Sequence, residues 1–315
     1  MFDTPLRALL AGSIDYAGLF PPAALEMADA VRQYGAYRSH PDAWALGRFV
    51  VPAARLGELE EAAVGVVPPA MTGESSHGAA DSGWRLSVLL GSDVASDLRI
   101  IGEFNCRHAA SGAPAMSADA VEARADSVEA IDRLLAAMPR WAQAYIEIPL
   151  DRDPAPLVAA IVRGGGRVKA RTGGVTPEAF PPAAAIARFL RACTDAAAPF
   201  KVTAGLHHPL RAEYRLTYSP DSPRGTMFGF LNVFLAAAYM ANGLGDAEAI
   251  RLLEERDPDA FRVSSDAIEW RGRGLDRDAI AAARTSGIVS FGSCSFTEPV
   301  DELRTFLNFH FGTGA

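Results

Sequence analysis

Pro156-Leu157-Val158-Ala159-Ala160-Ile161-Val162-Arg163 runs into Gly164-Gly165-Gly166 and then into Arg167-Val168-Lys169-Ala170-Arg171-Thr172. The first block reads as a helix, since a proline fits the first helical turn. The glycines stop it. The third block reads as a strand, because its charged residues fall two apart and so share one face. Helix, stop and strand in immediate succession form the unit of a parallel sheet with helical crossovers.

The same alternation extends in both directions. Upstream, strands are expected at Ser13–Leu19, Arg48–Pro52, Trp84–Leu90, Ala120–Ala125 and Ala144–Leu150, with helices at Ala23–Tyr37 and Val128–Met138. Downstream, helix Ala183–Ala192 leads to strand Phe200–Leu206, and a last strand, Gly287–Ser293, precedes a helix from Pro299 to about Phe309. That makes eight strands, the number that closes a (β/α)₈ barrel, and one domain over residues 1–315. A doubly wound open sheet is the rival, but no G-x-G-x-x-G follows the first strand. Between strands seven and eight lies a large insertion, read as a lid over residues 207–275. It should hold helices near Phe230–Met240 and Ala247–Glu255 and a hairpin at Phe261–Leu275. Two loops of small and polar residues, Pro68–Gly83 and Ala109–Ala118, read as mobile linkers.

Composition narrows the function classes. The 315 residues carry a net charge of −8 and no long basic run, which argues against a nucleic-acid partner. No apolar run approaches membrane-spanning length, and Leu6–Gly12 is too short and charged for a signal peptide. Cys106, Cys193 and Cys294 lack C-x-x-C spacing and read as reduced thiols of a cytoplasmic protein, with no metal site. A long outer helix and many alanines would suit a homodimer.

The chain has two lysines against 28 arginines, and both lysines, Lys169 and Lys201, fall in strand-like segments. A guanidinium stays charged, whereas a desolvated amine can lose its proton and attack a carbonyl. Genome-wide replacement of Lys by Arg explains the scarcity, but not why both survivors sit on neighbouring strands. Period-two alternation places Lys169 with Arg171, Lys201 with Thr203, Tyr145 with Glu147 and Glu122 with Arg124, and Asp15 ends strand one. If the apolar alternates face the helices, these charges converge inside the barrel, where charge is costly unless paired.

Val168-Lys169-Ala170-Arg171-Thr172-Gly173, Phe200-Lys201-Val202-Thr203-Ala204-Gly205-Leu206 and Phe291-Gly292-Ser293-Cys294-Ser295 resemble strands six to eight of deoxyribose-phosphate aldolase and related class I aldolases. The resemblance covers about the last third of the barrel. It implies that Lys169 is the Schiff-base nucleophile and Lys201 its electrostatic neighbour. It also implies that Gly205, Gly292 and Ser293 give the phosphate-side backbone, and that the strand-four acid falls near Glu122. Arg171 replaces a small hydroxyl residue of that pattern, and its glycine pair is reduced to Ala204-Gly205. His207, His208 and Arg211 then begin a long loop, which points to a bulkier or more anionic substrate than deoxyribose phosphate.

The expectation is therefore a Schiff-base lyase acting on a small anionic carbonyl substrate without an organic cofactor. Lys169 attacks, Lys201 and Arg171 tune the amine, Glu122 or Glu147 moves protons, and His207, His208 and Arg211 orient substrate. Asp15, Arg124, Thr203, Gly205, Gly292 and Ser293 complete the substrate site. Three alternatives stay open. They are a quinolinate-type phosphoribosyltransferase, a metal-dependent barrel with His207 or His208 as ligand, and a non-catalytic anion-binding barrel. Cys294 and Asp126 are expected to act as a small buried residue and a helix cap. Asn232 either holds the lid or caps its helix.

Overall fold

The computed structural model describes residues 5–69, 83–110 and 112–311. Nearly all of the loop expected at Pro68–Gly83 lies outside the described residues. Its described amino-terminal end lies along the segment just ahead of Met116, through a bridge from Pro69 to Pro114 and the Pro68 carbonyl, which accepts from the Ala115 amide at 2.8 Å.

The chain opens with a short helix α1 (Pro5–Leu10) and enters β1 (Ile14–Tyr16), then α2 (Met27–Tyr37), β2 (Leu46–Pro52) and α3 (Leu56–Ala63). β3 (Trp84–Leu89), α4 (Val94–His108), β4 (Met116–Arg124), α5 (Val128–Ala137) and β5 (Gln143–Glu147) follow. Next come α6 (Ala155–Arg163), β6 (Arg167–Arg171), α7 (Ala183–Asp195) and β7 (Phe200–Thr203). The insertion contains β8 (Ala212–Arg215), β9 (Arg224–Met227), α8 (Phe230–Ala241), α9 (Asp246–Glu254), β10 (Phe261–Val263), β11 (Ala267–Trp270) and β12 (Arg273–Asp276). α10 (Arg277–Ser286), β13 (Ile288–Ser293) and α11 (Thr297–Phe311) close the chain.

Eight strands form a closed barrel in the order β1-β13-β7-β6-β5-β4-β3-β2, every pair parallel. This is the (β/α)₈ architecture that the helix–stop–strand unit predicts. The apolar alternates Val168, Ala170, Phe200 and Val202 are buried in the layer between strands and helices. On the other side of the barrel, Tyr16, Phe49, Trp84 and Tyr34 make an aromatic cluster under α2, with Tyr34 and Trp84 rings 4.7 Å apart.

Several local expectations change. β4 begins at Met116, so the second linker is shorter than expected. α2 begins at Met27, well after Pro21-Pro22, which therefore do not start it. The cap of α5 is Ser127, whose Oγ accepts from the Ala130 amide at 3.2 Å, and not Asp126. Such a cap contributes about 1 kcal/mol. The hairpin at Phe261–Leu275 is a three-stranded antiparallel sheet, β10-β11-β12.

The insertion is only partly a cover for the cavity. α8 is buried along almost its whole length, as a helix apolar on all sides must be. Its Phe230 stacks on Phe291 of β13 at 5.2 Å. Asn232 anchors it: Oδ1 accepts from the Arg211 amide, and Nδ2 donates to the carbonyls of Leu252 and Glu255. Only the start of the insertion, with the β8–β9 hairpin, reaches over the strand ends, through Leu216 and Met227.

Candidate active site

The barrel register sets the site. Glu147 aligns with Lys169, Lys169 with Lys201, and Lys201 with Ser290, so neighbouring strands bring these side chains to one inner surface. Lys169 and Lys201 are 6% and 2% exposed, and Glu122 is 4% exposed. Both amines lie inside the barrel.

Glu122 joins them. Its Oε2 lies 2.7 Å from Lys169 Nζ, and its Oε1 accepts from Lys201 Nζ at 2.7 Å and from Ser87 Oγ at 2.6 Å. Lys201 also donates to Asp15 Oδ2 at 2.6 Å and sits over the Tyr145 ring at 5.1 Å. Asp15 is held in turn by Ser290 Oγ at 2.8 Å and the Arg48 amide at 2.8 Å. Burial alone would raise the Glu122 pKa, but the two ammonium groups outweigh it and hold the carboxyl well below its usual range. Burial likewise disfavours the Lys201 ammonium, but Asp15 and Glu122 outweigh it and push its pKa above the ordinary lysine value. Lys201 is a locked ammonium.

The second contact of Lys169 is Glu147 Oε2 at 2.7 Å, an oxygen that is buried without an aligned hydrogen bond. Lys169, like Lys201, thus lies between two carboxylates.

Above these groups opens a cavity of about 540 Å³ at the carboxyl ends of the strands. That is the active-site face of a (β/α)₈ barrel and a size suited to a small molecule. Of the residues singled out in the sequence, Lys169, Lys201, Glu122, Arg124, Arg171, Thr203, Gly205, His207 and Gly292 line it. Apolar side chains, among them Val50, Leu89, Val94 and Met227, make up much of the remaining wall. Ala204 and Gly205 follow β7 with φ of 65° and 73°. At Gly205 a Cβ would come within 2.6 Å of the Phe180 ring and 3.2 Å of the Gly173 backbone. Ala204 adopts the same left-handed conformation with a side chain, which costs about 1–2 kcal/mol.

Five expected residues stand beside the cavity lining, among them Glu147, which lines a neighbouring opening that Arg124 and Arg171 share. Asp15 lies beneath it, under Lys201. Ser293 turns its Oγ to His207 Nδ1 at 3.2 Å. His208 faces a second, smaller cavity, stacks on Tyr214 at 3.5 Å and bonds Glu302 at 2.8 Å. Arg211 packs its guanidinium over Phe228 at 4.5 Å, with Nη1 buried and without a hydrogen bond. His208, Glu298 and Glu302 bring three metal-capable atoms within 4.8 Å of one another, outside the lysine cavity.

Sequence reasoning missed Ser87 and Ser290, the hydroxyls that orient Glu122 and Asp15. Period-two alternation could have found them, since each lies on an inward position of its strand. It also missed Tyr218 and Glu298, which reach the rim from a loop and a helix and carry no periodic signal. No family model matches the chain, and neither does any curated protein or solved structure.

Proposed function

We propose that this protein is a Schiff-base-forming lyase of the aldolase type, with Lys169 as nucleophile and a small anionic carbonyl compound as substrate. The observation that carries the reading is a pair of buried amines on one inner surface beneath the cavity, bridged by a single carboxylate. Lys201 lies between Asp15 and Glu122, and Lys169 lies between Glu122 and Glu147, whose Oε2 is a proton acceptor 2.7 Å away.

From the sequence alone, Lys201 and Arg171 are expected to tune the Lys169 amine. Glu122 lies between the two lysines, so the release of the proton rests on a carboxylate. Glu122 is stabilised in its charged form by both lysines, which makes Glu147 the better proton carrier. Lys169 passes a proton to Glu147, and the neutral amine adds to the substrate carbonyl carbon. The added nitrogen gives up one of its own protons to the oxygen, Glu147 returns the other, and the oxygen leaves as water. The resulting iminium takes the electron pair of the Cα–Cβ bond as that bond breaks, while Glu147 accepts the β-hydroxyl proton and the β-carbon leaves as a carbonyl. Glu147 then gives that proton to Cα of the enamine, and water hydrolyses the imine to free the second product and Lys169. Arg171 and Arg124 at the mouth suit a carboxylate or phosphate on the substrate.

Borohydride reduction in the presence of pyruvate, acetaldehyde or glyceraldehyde phosphate tests this. A stable adduct on Lys169, absent in Lys169→Arg, is the expected result. Complete lack of adduct with all three, together with activity lost on chelation, would replace this reading with a metal-dependent one.

A further inference from the structure

The same cavity has a second reactive wall. Cys294 follows β13, is 4% exposed, and lines the cavity together with His207. His207 Nδ1 is the centre of a small polar cluster. It lies 3.2 Å from Ser293 Oγ, 3.4 Å from Glu298 Oε2 and 3.9 Å from Cys294 Sγ. The Tyr218 hydroxyl stands 3.3 Å from the sulfur and donates to Glu298 at 3.1 Å. A thiol kept only for packing is surrounded by apolar atoms, as Cys193 is. Burial pushes the Cys193 pKa well up.

Cys294 has the opposite setting. Burial disfavours its thiolate, but the His207 bond and charge, the Tyr218 hydroxyl and the Ala23 amide outweigh it and lower the pKa. Burial also disfavours the His207 cation, yet its bonds to Cys294 and Glu298 push its pKa up to about 10. The groups facing this pair come from every adjoining element: Tyr16 of β1, Tyr37 of α2, Tyr218 after β8, and Glu298 of α11, itself near His208.

We propose that Cys294, His207 and Glu298 form a nucleophilic thiol site that accepts an activated acyl group, from an ester or thioester, inside the cavity that Lys169 also faces. The Cys294 sulfur, its proton resting on His207, forms a bond to the acyl carbon. The tetrahedral species collapses, the bond to the leaving oxygen or sulfur breaks, and His207 gives that atom its proton. Acyl-Cys294 and neutral His207 remain. A water that loses its proton to His207 then hydrolyses the thioester and restores the resting state. The apolar wall of Val50, Leu89 and Val94 suits the acyl chain. The proposal stands on its own geometry and does not require an imine at Lys169.

The test uses the full chain with Cys106→Ser, which removes the exposed thiol. Iodoacetamide should label Cys294 with a pH midpoint below that of an ordinary thiol, while Cys193 stays unlabelled and so reports an intact fold. p-Nitrophenyl acetate should release close to one equivalent of nitrophenolate in a burst and leave an acetyl group on Cys294. His207→Gln should slow acetylation by about a hundredfold. Tyr218→Phe should raise the alkylation midpoint without disturbing the fold. Acetylation of Cys294 and borohydride trapping at Lys169 are read separately on the same protein by peptide mass, so failure of imine trapping and failure of this site are separate results. Acetylation of Lys169 in place of Cys294, an ordinary thiol profile, or indifference to His207→Gln in a chain that still protects Cys193 would each overturn the proposal.

Discussion

The two ends of the barrel interior solve the same problem with different cations. At the amino end, Arg48 forks onto Asp119 at 2.7 and 2.8 Å, Arg85 joins the same carboxylate at 2.9 Å, and Arg167 donates to Tyr145 at 3.1 Å. Arg284, its pKa lowered to about 10 by burial, donates to the carbonyls of Ile288 and Ala11 at 2.7 Å. At the carboxyl end the interior cations are Lys169 and Lys201, wired to Glu122, Asp15 and Glu147. A guanidinium fork fixes two bonds at once and keeps its charge, which suits a plug. An amine has no fixed fork and can give up a proton, which suits a reaction. A chain that uses arginine almost everywhere thus keeps its two lysines where the barrel opens into a cavity.

Exchanging the cations is the strongest way to break this contrast. Lys169→Arg should abolish borohydride-dependent adduct formation and lyase activity entirely, because a guanidinium cannot form the imine. Arg48→Lys should leave the adduct intact and cost about 1–2 kcal/mol of stability through the lost fork. Adduct mass and denaturant melts read both. Trapping that survives Lys169→Arg would remove the functional half of the comparison.

Glu122→Gln strikes the upper network without touching the lower one. Two buried ammonium groups would lose the charge between them, a change that typically costs about 3–5 kcal/mol. Asp119→Asn below should cost less, since its residues are nearer solvent and Gln143 already shares Arg48 at 3.2 Å. Equal losses in urea unfolding would show that the two ends are energetically alike.

Acid and alkali should act on the upper end in opposite senses. The folded Glu122 pKa is depressed, so its stabilisation is complete above the ordinary value of about 4.3 and is lost as pH falls toward the folded one. The folded Lys201 pKa is raised. Its contribution is therefore complete below the ordinary value of about 10.4 and disappears as pH climbs through the folded one. Melting temperature against pH should show a broad neutral plateau. Lys201→Met should flatten its alkaline limb. An unchanged limb in that variant would deny Lys201 its place in the network.

The upper site was legible in sequence because its parts lie on strands. Alternation alone puts Lys169, Lys201, Glu122 and Glu147 on the inner face, and barrel closure does the rest. The rim was not legible for the converse reason. Tyr218, Cys294 and Glu298 come from a hairpin connection, a strand end and a helix, and no period relates them to one another or to His207, which the sequence did single out. Arg211 shows the same limit. Its proximity to His207 in sequence suggested the cavity, but the Asn232 anchor turns that stretch toward α8 and Phe228. The paired arginines of the lower end stayed hidden because Asp119 falls at a register irregularity of β4, where counting by twos slips.

The smallest expected effect is also the most discriminating. Arg124 pairs with Glu147 at 2.9 Å, but its side chain is 74% exposed, so Arg124→Ala should change stability by no more than about 1 kcal/mol. Its consequence for chemistry is a separate matter. Removing that cation takes away the guanidinium that holds one Glu147 oxygen while the other faces Lys169. If Glu147 carries the proton for Lys169, imine formation should slow severalfold in Arg124→Ala while Tm barely changes. In Glu147→Gln it should slow by about a hundredfold or more. Imine formation at an unaltered rate in both variants would transfer the proton-carrying role to Glu122, the carboxylate that both lysines hold in its charged form.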